Sequence, residues 1–184
     1  MKRVLVPLAD GFEEIEAVTI IDVLRRAGLE VIVASLREGA VSGSRGISIL
    51  PETTFGQVDL DRIDLIALPG GGPGARALRE DPHVLRALRE FHSQDKPIGA
   101  ICAAPTVLAA AGVLAGRRIT CHPQVREEFT GSGATLIEDE RVVVDGQLVT
   151  SQGPGTAIEF AFELVRLLCG AEQVTELNQA ILIK

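Results

Sequence analysis

Ile98-Gly99-Ala100-Ile101-Cys102-Ala103-Ala104-Pro105-Thr106-Val107-Leu108 is the stretch on which the reading of this chain turns. It opens nineteen residues, Ile98 to Gly116, that carry no charge, a length that raises the question of a membrane span. Pro105, Thr106 and three glycines interrupt it, and most of its side chains are small. A spanning helix is made of a continuous, strongly apolar run. This one reads instead as a buried strand, Pro97 to Ile101, a turn at Cys102, and a buried helix, Ala103 to Ala111.

Outward from that unit the alternation repeats. Val4 to Leu8, Val31 to Ser35 and Asp64 to Leu68 are short apolar runs that suit strands covered on both faces. A helix is predicted from about Glu13 to Ala27, closed by Gly28, on the stripe Ala17, Ile20, Ile21, Leu24, Ala27. Asp81-Pro82 supplies an N-cap and a first-turn proline for a helix that lasts to about Gln94. Gly39 to Thr54, with Gly43, Gly46 and Pro51, reads as a small hairpin or edge excursion. Arg118 to Thr120, Thr135 to Ile137, Val142 to Val144 and Leu148 to Thr150 read as short strands, the last two joined by an Asp145-Gly146 turn. Pro154 to Leu168 is a long amphipathic helix, and a final helix covers about Glu172 to Asn178. The expected fold class is α/β: one sandwich over residues 1–184, with a mostly parallel central sheet.

The composition narrows the function. A hydrophobic share of 46% supports a sizeable core. Aromatics are 3%, all Phe, which leaves little for base stacking or a sugar platform. The net charge is −7 and no basic run exceeds a pair, so nucleic-acid binding is not expected. Cys102, Cys121 and Cys169 form an odd set without CxxC spacing, which reads as reduced thiols in a soluble, cytoplasmic protein. Met1-Lys2-Arg3 has the charge of a signal peptide, but the apolar run behind it stops at Asp10, too short for one.

In an open parallel sheet, ligands collect at the carboxyl ends of the strands. Three loops leave such ends: Asp10 to Glu16, Gly70 to Ala75, and Cys102 to Thr106. Cys102, at a strand-to-helix elbow, would have its sulfur above the sheet edge and its thiolate stabilised by helix N–H groups, with a lowered pKa. It reads equally as a small buried hydrophobe. Gly70, Gly72 and Ala75 fit the dinucleotide fingerprint, yet this is the third strand–helix unit and no acid ends the next strand. The glycines also suit a backbone N–H approaching a reacting oxygen, or simply a tight turn. His122, ahead of Pro123, is a proton carrier for Cys102 if the two loops adjoin; His83 and His92 fall on a charged, solvated helix. Cys102, Cys121 and His122 lack a fourth ligand and a recognisable spacing, so no metal is expected. Helical periodicity does not choose among Glu13, Glu14 and Glu16. Glu13 projects closest to the stripe, but Asp10-x-x-Glu13 reads as a capping box, and the other two read as a solvated acidic first turn.

These residues resemble the ThiJ/PfpI superfamily, in the branch of the parkinsonism-associated protein deglycase and bacterial YajL. The likeness covers almost the whole chain. It is carried by Gly11-Phe12-Glu13-Glu14-Ile15-Glu16, Leu68-Pro69-Gly70-Gly71, Ala100-Ile101-Cys102-Ala103-Ala104-Pro105-Thr106, and Thr150 to Thr156 with Glu159-Phe160. The resemblance implies a flavodoxin-like three-layer α/β/α sandwich with a nucleophile-elbow cysteine. It implies Cys102 as the reactive cysteine, Glu16 as the acid at its sulfur, His122 as the neighbouring histidine, and the N–H groups of Gly71 and Ala103 around the substrate oxygen. It further implies a homodimer, with Arg45 and Pro154 near the partner's active-site mouth. The implied activity is a cofactor-free, glutathione-independent glyoxalase and deglycase acting on small dicarbonyls or glycated protein and nucleotide adducts. A redox-sensing protective protein or chaperone, through oxidation of Cys102, is the alternative. An amidase or peptidase would need an acid to orient His122, and the sequence offers none. Leu50 replaces a cysteine found at the dimer contact of human-type members, so redox behaviour through that position is not expected.

Overall fold

A computed structural model describes residues 1–183. The chain runs β1 (Arg3–Leu8), α1 (Glu14–Arg26), β2 (Glu30–Ser35), β3 (Val41–Ser42), β4 (Ser48–Ile49), β5 (Thr53–Thr54), β6 (Leu65–Leu68), α2 (Gly72–Glu80), α3 (Pro82–Ser93), β7 (Ile98–Ile101) and α4 (Pro105–Ala111). It continues with β8 (Arg118–Ile119), β9 (Thr135–Leu136), β10 (Val142–Asp145), β11 (Leu148–Ser151), α5 (Ala157–Cys169) and α6 (Ala171–Ala180). Seven strands form the central sheet in the order β10-β11-β7-β6-β1-β2-β5. All its neighbours pair parallel except β10 with β11.

The strands are apolar throughout because both faces are covered, and alternate residues feed two separate cores. Val4, Val6 and Leu8 of β1, with Leu65 and Ala67 of β6, pack against α1, α5 and α6. Leu5, Ile66, Leu68 and Ala100 pack on the other side against α2, α3 and α4. The expected three-layer α/β sandwich is therefore the observed one. The order reverses at β1, whose chain leaves toward β2 on one side while β6 lies on the other. The crevice that such a reversal opens at the carboxyl ends of the strands is where ligands bind in this architecture.

Three local readings need correction. Helix α2 was not expected, because Gly72, Pro73 and Gly74 hide its first turn; Pro at the start of a helix is nonetheless well placed. The β10–β11 turn is Gly146-Gln147, one residue later than read, since Asp145 still pairs with Leu148. The long helix begins at Ala157, and Pro154–Thr156 is a separate 3-10 turn. The Gly39 to Thr54 excursion is as read: β3 and β4 form a small antiparallel hairpin, and β5 adds to the sheet edge. Among the described residues no helix is long and apolar enough to cross a membrane.

Candidate active site at the β7–α4 elbow

Cys102 follows β7 directly and has φ +65, in the left-handed region that side chains avoid. The conformation is held from both sides: its N–H donates to the Ser151 carbonyl (2.9 Å), and its own carbonyl accepts the His122 N–H (2.9 Å). The backbone thus fixes the elbow independently of anything the sulfur does. The N–H groups of Gly71 and Ala103 face the sulfur, and so does the Glu16 carboxyl.

Glu16 is fully buried. Its Oε2 accepts the Gly70 N–H at 2.7 Å, while Oε1 is buried with no hydrogen-bond partner. Gly70 is glycine for a steric reason: a Cβ there would stand 2.7 Å from the Cys102 Cβ and 2.8 Å from Glu16 Oε2. Gly71 has φ +91, and a Cβ on it would meet the Glu13 nitrogen at 2.6 Å. The β6–α2 loop therefore runs main chain against main chain with the 11–13 loop, at the crevice beside β1.

Burial pushes the Glu16 carboxyl up to about 7, against the pull of the Gly70 N–H and of the Cys102 thiol, with the Glu13 charge adding to the rise. The Cys102 thiol is pushed up to about 12, first by burial and then by the Glu16 charge facing it. The Gly71 and Ala103 N–H groups act in the opposite direction but are outweighed. The lowered thiol pKa expected from the elbow is thus overturned, first by burial and then by the Glu16 charge. The effect of a helix N-terminus is a fraction of a charge, whereas a carboxylate against the sulfur is a whole one.

The first turn of α1 differs from its expected form. Asp10 does not cap with Glu13. Its carboxylate binds Arg37 through two nitrogens and accepts the Ser42 N–H at 2.9 Å. Glu13 is itself the N-cap, accepting the Glu16 N–H at 2.8 Å. Glu14 and Glu16 are both buried where solvated acids were expected, because the 43–47 loop and the β6–α2 loop close over the two sides of this turn. Glu14 points away from the sulfur into the 43–47 loop, where its carboxylate takes the N–H groups of Arg45 and Ile47 and the Ser44 hydroxyl. Burial raises its pKa, and those donors more than reverse the rise, leaving it lowered. Gly43 lies directly against this carboxyl.

His122 is brought beside the elbow by its backbone bond to Cys102, and its Cδ2 stands 3.3 Å from where a Gly153 Cβ would be. Its Nδ1 accepts the Gln124 N–H at 3.3 Å. Among the described residues no carboxylate bonds the ring, and the full triad of a peptidase is not assembled. Arg45 is exposed between β3 and β4, and Pro154 opens the turn after β11; among the described residues neither side chain bonds Cys102, Glu16 or His122. His83 and His92 are exposed on α3. Cys121, next to His122 in the chain, is buried, and no cluster of three metal-ligating side chains forms among the described residues. Residue-level reading missed Gly70 as the donor that holds Glu16. The only sequence signal was its place in Leu68-Pro69-Gly70-Gly71.

The DJ-1/PfpI family profile matches residues 2–167. Protein dj-1beta of Drosophila melanogaster is 45% identical, the match covering 99% of this chain and 97% of that one. Its crystal structure has a TM-score of 0.95 at 44% identity, covering 100% of this chain and 98% of that one. The glutathione-independent glyoxalase of Caenorhabditis elegans is 40% identical over 95% of this chain and 91% of its own length. A deglycase of Pyrococcus abyssi is 36% identical over 90% and 99%. With matches of this extent, and with the elbow cysteine seated between strands of the same sheet, the chain belongs to the DJ-1/PfpI family.

Proposed function

We propose that this protein is a cysteine-dependent, glutathione-independent glyoxalase and deglycase acting on methylglyoxal-type dicarbonyls and their early adducts with proteins or nucleotides. One observation carries the reading: the Cys102 sulfur and the buried Glu16 carboxyl face each other, with two backbone N–H groups turned to the sulfur. The relatives named as a glyoxalase and a deglycase support it.

Two negative charges cannot share so dry a contact, so the pair holds one. Its reactive form is a thiolate beside a neutral carboxylic acid. The thiolate attacks the aldehyde carbon and forms a C–S bond, and the carbonyl electron pair moves onto oxygen. The Gly71 and Ala103 N–H groups steady that oxygen, and Glu16 gives it a proton, which yields a hemithioacetal. Glu16, now a carboxylate, takes the proton from the carbon bearing sulfur, and through an enediol the proton returns to the neighbouring carbon. The former aldehyde carbon becomes a thioester and the former ketone an alcohol; no outside oxidant or reductant takes part. His122 takes a proton from water as it attacks the thioester, which releases a hydroxy acid such as lactate and frees the sulfur. On an early adduct, a hemiaminal, the sulfur replaces the amine on the same carbon: the C–N bond breaks as the C–S bond forms, the amine leaves with a proton from Glu16, and the resulting hemithioacetal follows the same course.

The test is lactate formation from methylglyoxal without glutathione. Cys102→Ser is expected to lose about a thousandfold or more in kcat/KM. Wild-type turnover in that variant would overturn the scheme. We also propose a homodimer, supported by an apolar surface that α1 and the 43–50 segment leave uncovered at Ile15, Val18, Ile47 and Leu50. Light scattering should give twice the chain mass of 19.5 kDa, and a monomer at micromolar concentration would refute it.

A further inference from the structure

We infer that Glu13 is the positioning residue of the Glu16–Cys102 pair, acting through a closed ring of three hydrogen bonds. The Glu13 carboxylate accepts the Glu16 N–H at 2.8 Å. The Glu16 carboxyl accepts the Gly70 N–H at 2.7 Å. The Gly70 carbonyl accepts the Glu13 N–H at 3.0 Å, which returns to the start. The ring ties the first turn of α1 to the β6–α2 loop, and each of its three members uses one donor and one acceptor. Gly70 closes it against the elbow, where the space for its missing Cβ lies 2.7 Å from the Cys102 Cβ. With Oε2 held by Gly70, the remaining Glu16 oxygen is kept without a hydrogen-bond partner in the buried space beside the thiol.

Glu13 has a second effect that a neutral cap would not have. Its charge adds to the burial that makes Glu16 hard to ionise. The other groups facing Glu16 are few. The elbow brings the Cys102 thiol, and the β6–α2 loop brings the Gly70 N–H. The part of α5 that packs on α1 is apolar, with Ala157, Phe160, Ala161 and Leu164 in the shared core. Glu14, two residues away from Glu16 on the helix, is occupied by the 43–47 loop. Glu13 is thus the nearby charge, apart from Cys102 itself, that adds to burial in holding the proton on the pair.

The inference rests on the proposed function only for the statement that the pair turns over substrate. Its test reads the pair directly. Alkylation of Cys102 by iodoacetamide is followed from pH 5 to 9 by peptide mass mapping, which separates Cys102 from Cys121 and Cys169. Methylglyoxal turnover is measured in parallel. Glu13→Gln keeps an acceptor oxygen without the charge, and Glu13→Ser places a different neutral N-cap at the same point. A like charge opposes loss of a proton, so its removal should move the alkylation inflection toward acid by about half a pH unit in both variants. The inflection staying at the wild-type pH in either folded variant would overturn the inference. A shifted inflection with no turnover even in the wild type would uphold the action of Glu13 on the pair and defeat the glyoxalase reading instead.

Discussion

Two cradles grip acids from the same turn of α1. Around Glu14, the 43–47 loop brings two N–H groups and a hydroxyl, and the carboxylate is held charged, its pKa lowered despite burial. Around Glu16, the β6–α2 loop brings a single N–H, one oxygen is left without a partner, and the carboxyl is pushed up to about 7. Glu14 is covered only by an exposed loop, whereas Glu16 lies deep against the sheet, so depth of burial and the number of donors act in the same direction. A saturated carboxylate organises a loop. An under-supplied one, set against a thiol, becomes a proton carrier at neutral pH.

The larger effect should come from emptying the saturated cradle. Glu14→Ala strands the N–H groups of Arg45 and Ile47 and removes a buried charge with its donors, so a loss of about 3–4 kcal/mol is expected near pH 7. Urea unfolding measures it. Because the folded pKa lies below the ordinary 4.5, this stabilisation is complete above that value and is lost as pH falls through the folded pKa. The gap between wild type and Glu14→Ala should therefore narrow in acid. A constant gap from pH 7 to pH 3 would break the comparison.

The under-supplied cradle should respond with the opposite sign. Glu16 has a raised folded pKa, so the wild type loses stability as pH climbs from about 4.5 to 7 and ionises a buried acid beyond that. Glu16→Gln keeps the bond to Gly70 and avoids the charge. It should be more stable than the wild type by about 2–3 kcal/mol at pH 8 and nearly equal to it at pH 5, while turnover is lost. Denaturant curves at the two pH values sharpen the contrast. A destabilised Glu16→Gln at pH 8 would place Glu16 among the structural acids with Glu14.

The sequence makes the scaffold around these cradles readable and leaves their contents hidden. Val4 to Leu8 and Ile98 to Ile101 announce buried strands because their apolar character is local, and Cys102 is marked by the strand that ends before it and Pro105 beyond it. The partners of Glu14 and Glu16 lie 31 and 54 residues away at Arg45 and Gly70, a distance that no helical period encodes. The wheel sets Glu14 and Glu16 on opposite flanks of the buried stripe, and only the loops that close over those flanks take the two acids out of solvent. The choice of Glu16 came from family likeness, and the reason for it from the sheet reversal that sets β6 beside β1.

That sheet has one more consequence, for how the protein behaves when crowded. β1, with five of its six residues buried, lies inside the sheet between β6 and β2. One edge is β5, two residues long, and the other is β10, reached through Glu138-Asp139-Glu140-Arg141 and finished by Asp145. Fibrils grow by adding strands to long, uncharged edges. Where β5 stops short, the outer side of β2 is occupied by the Arg25 side chain on the Val31 carbonyl and by the Glu52 N–H on the Val33 carbonyl, so strand-by-strand aggregation has to wait until the sheet itself opens.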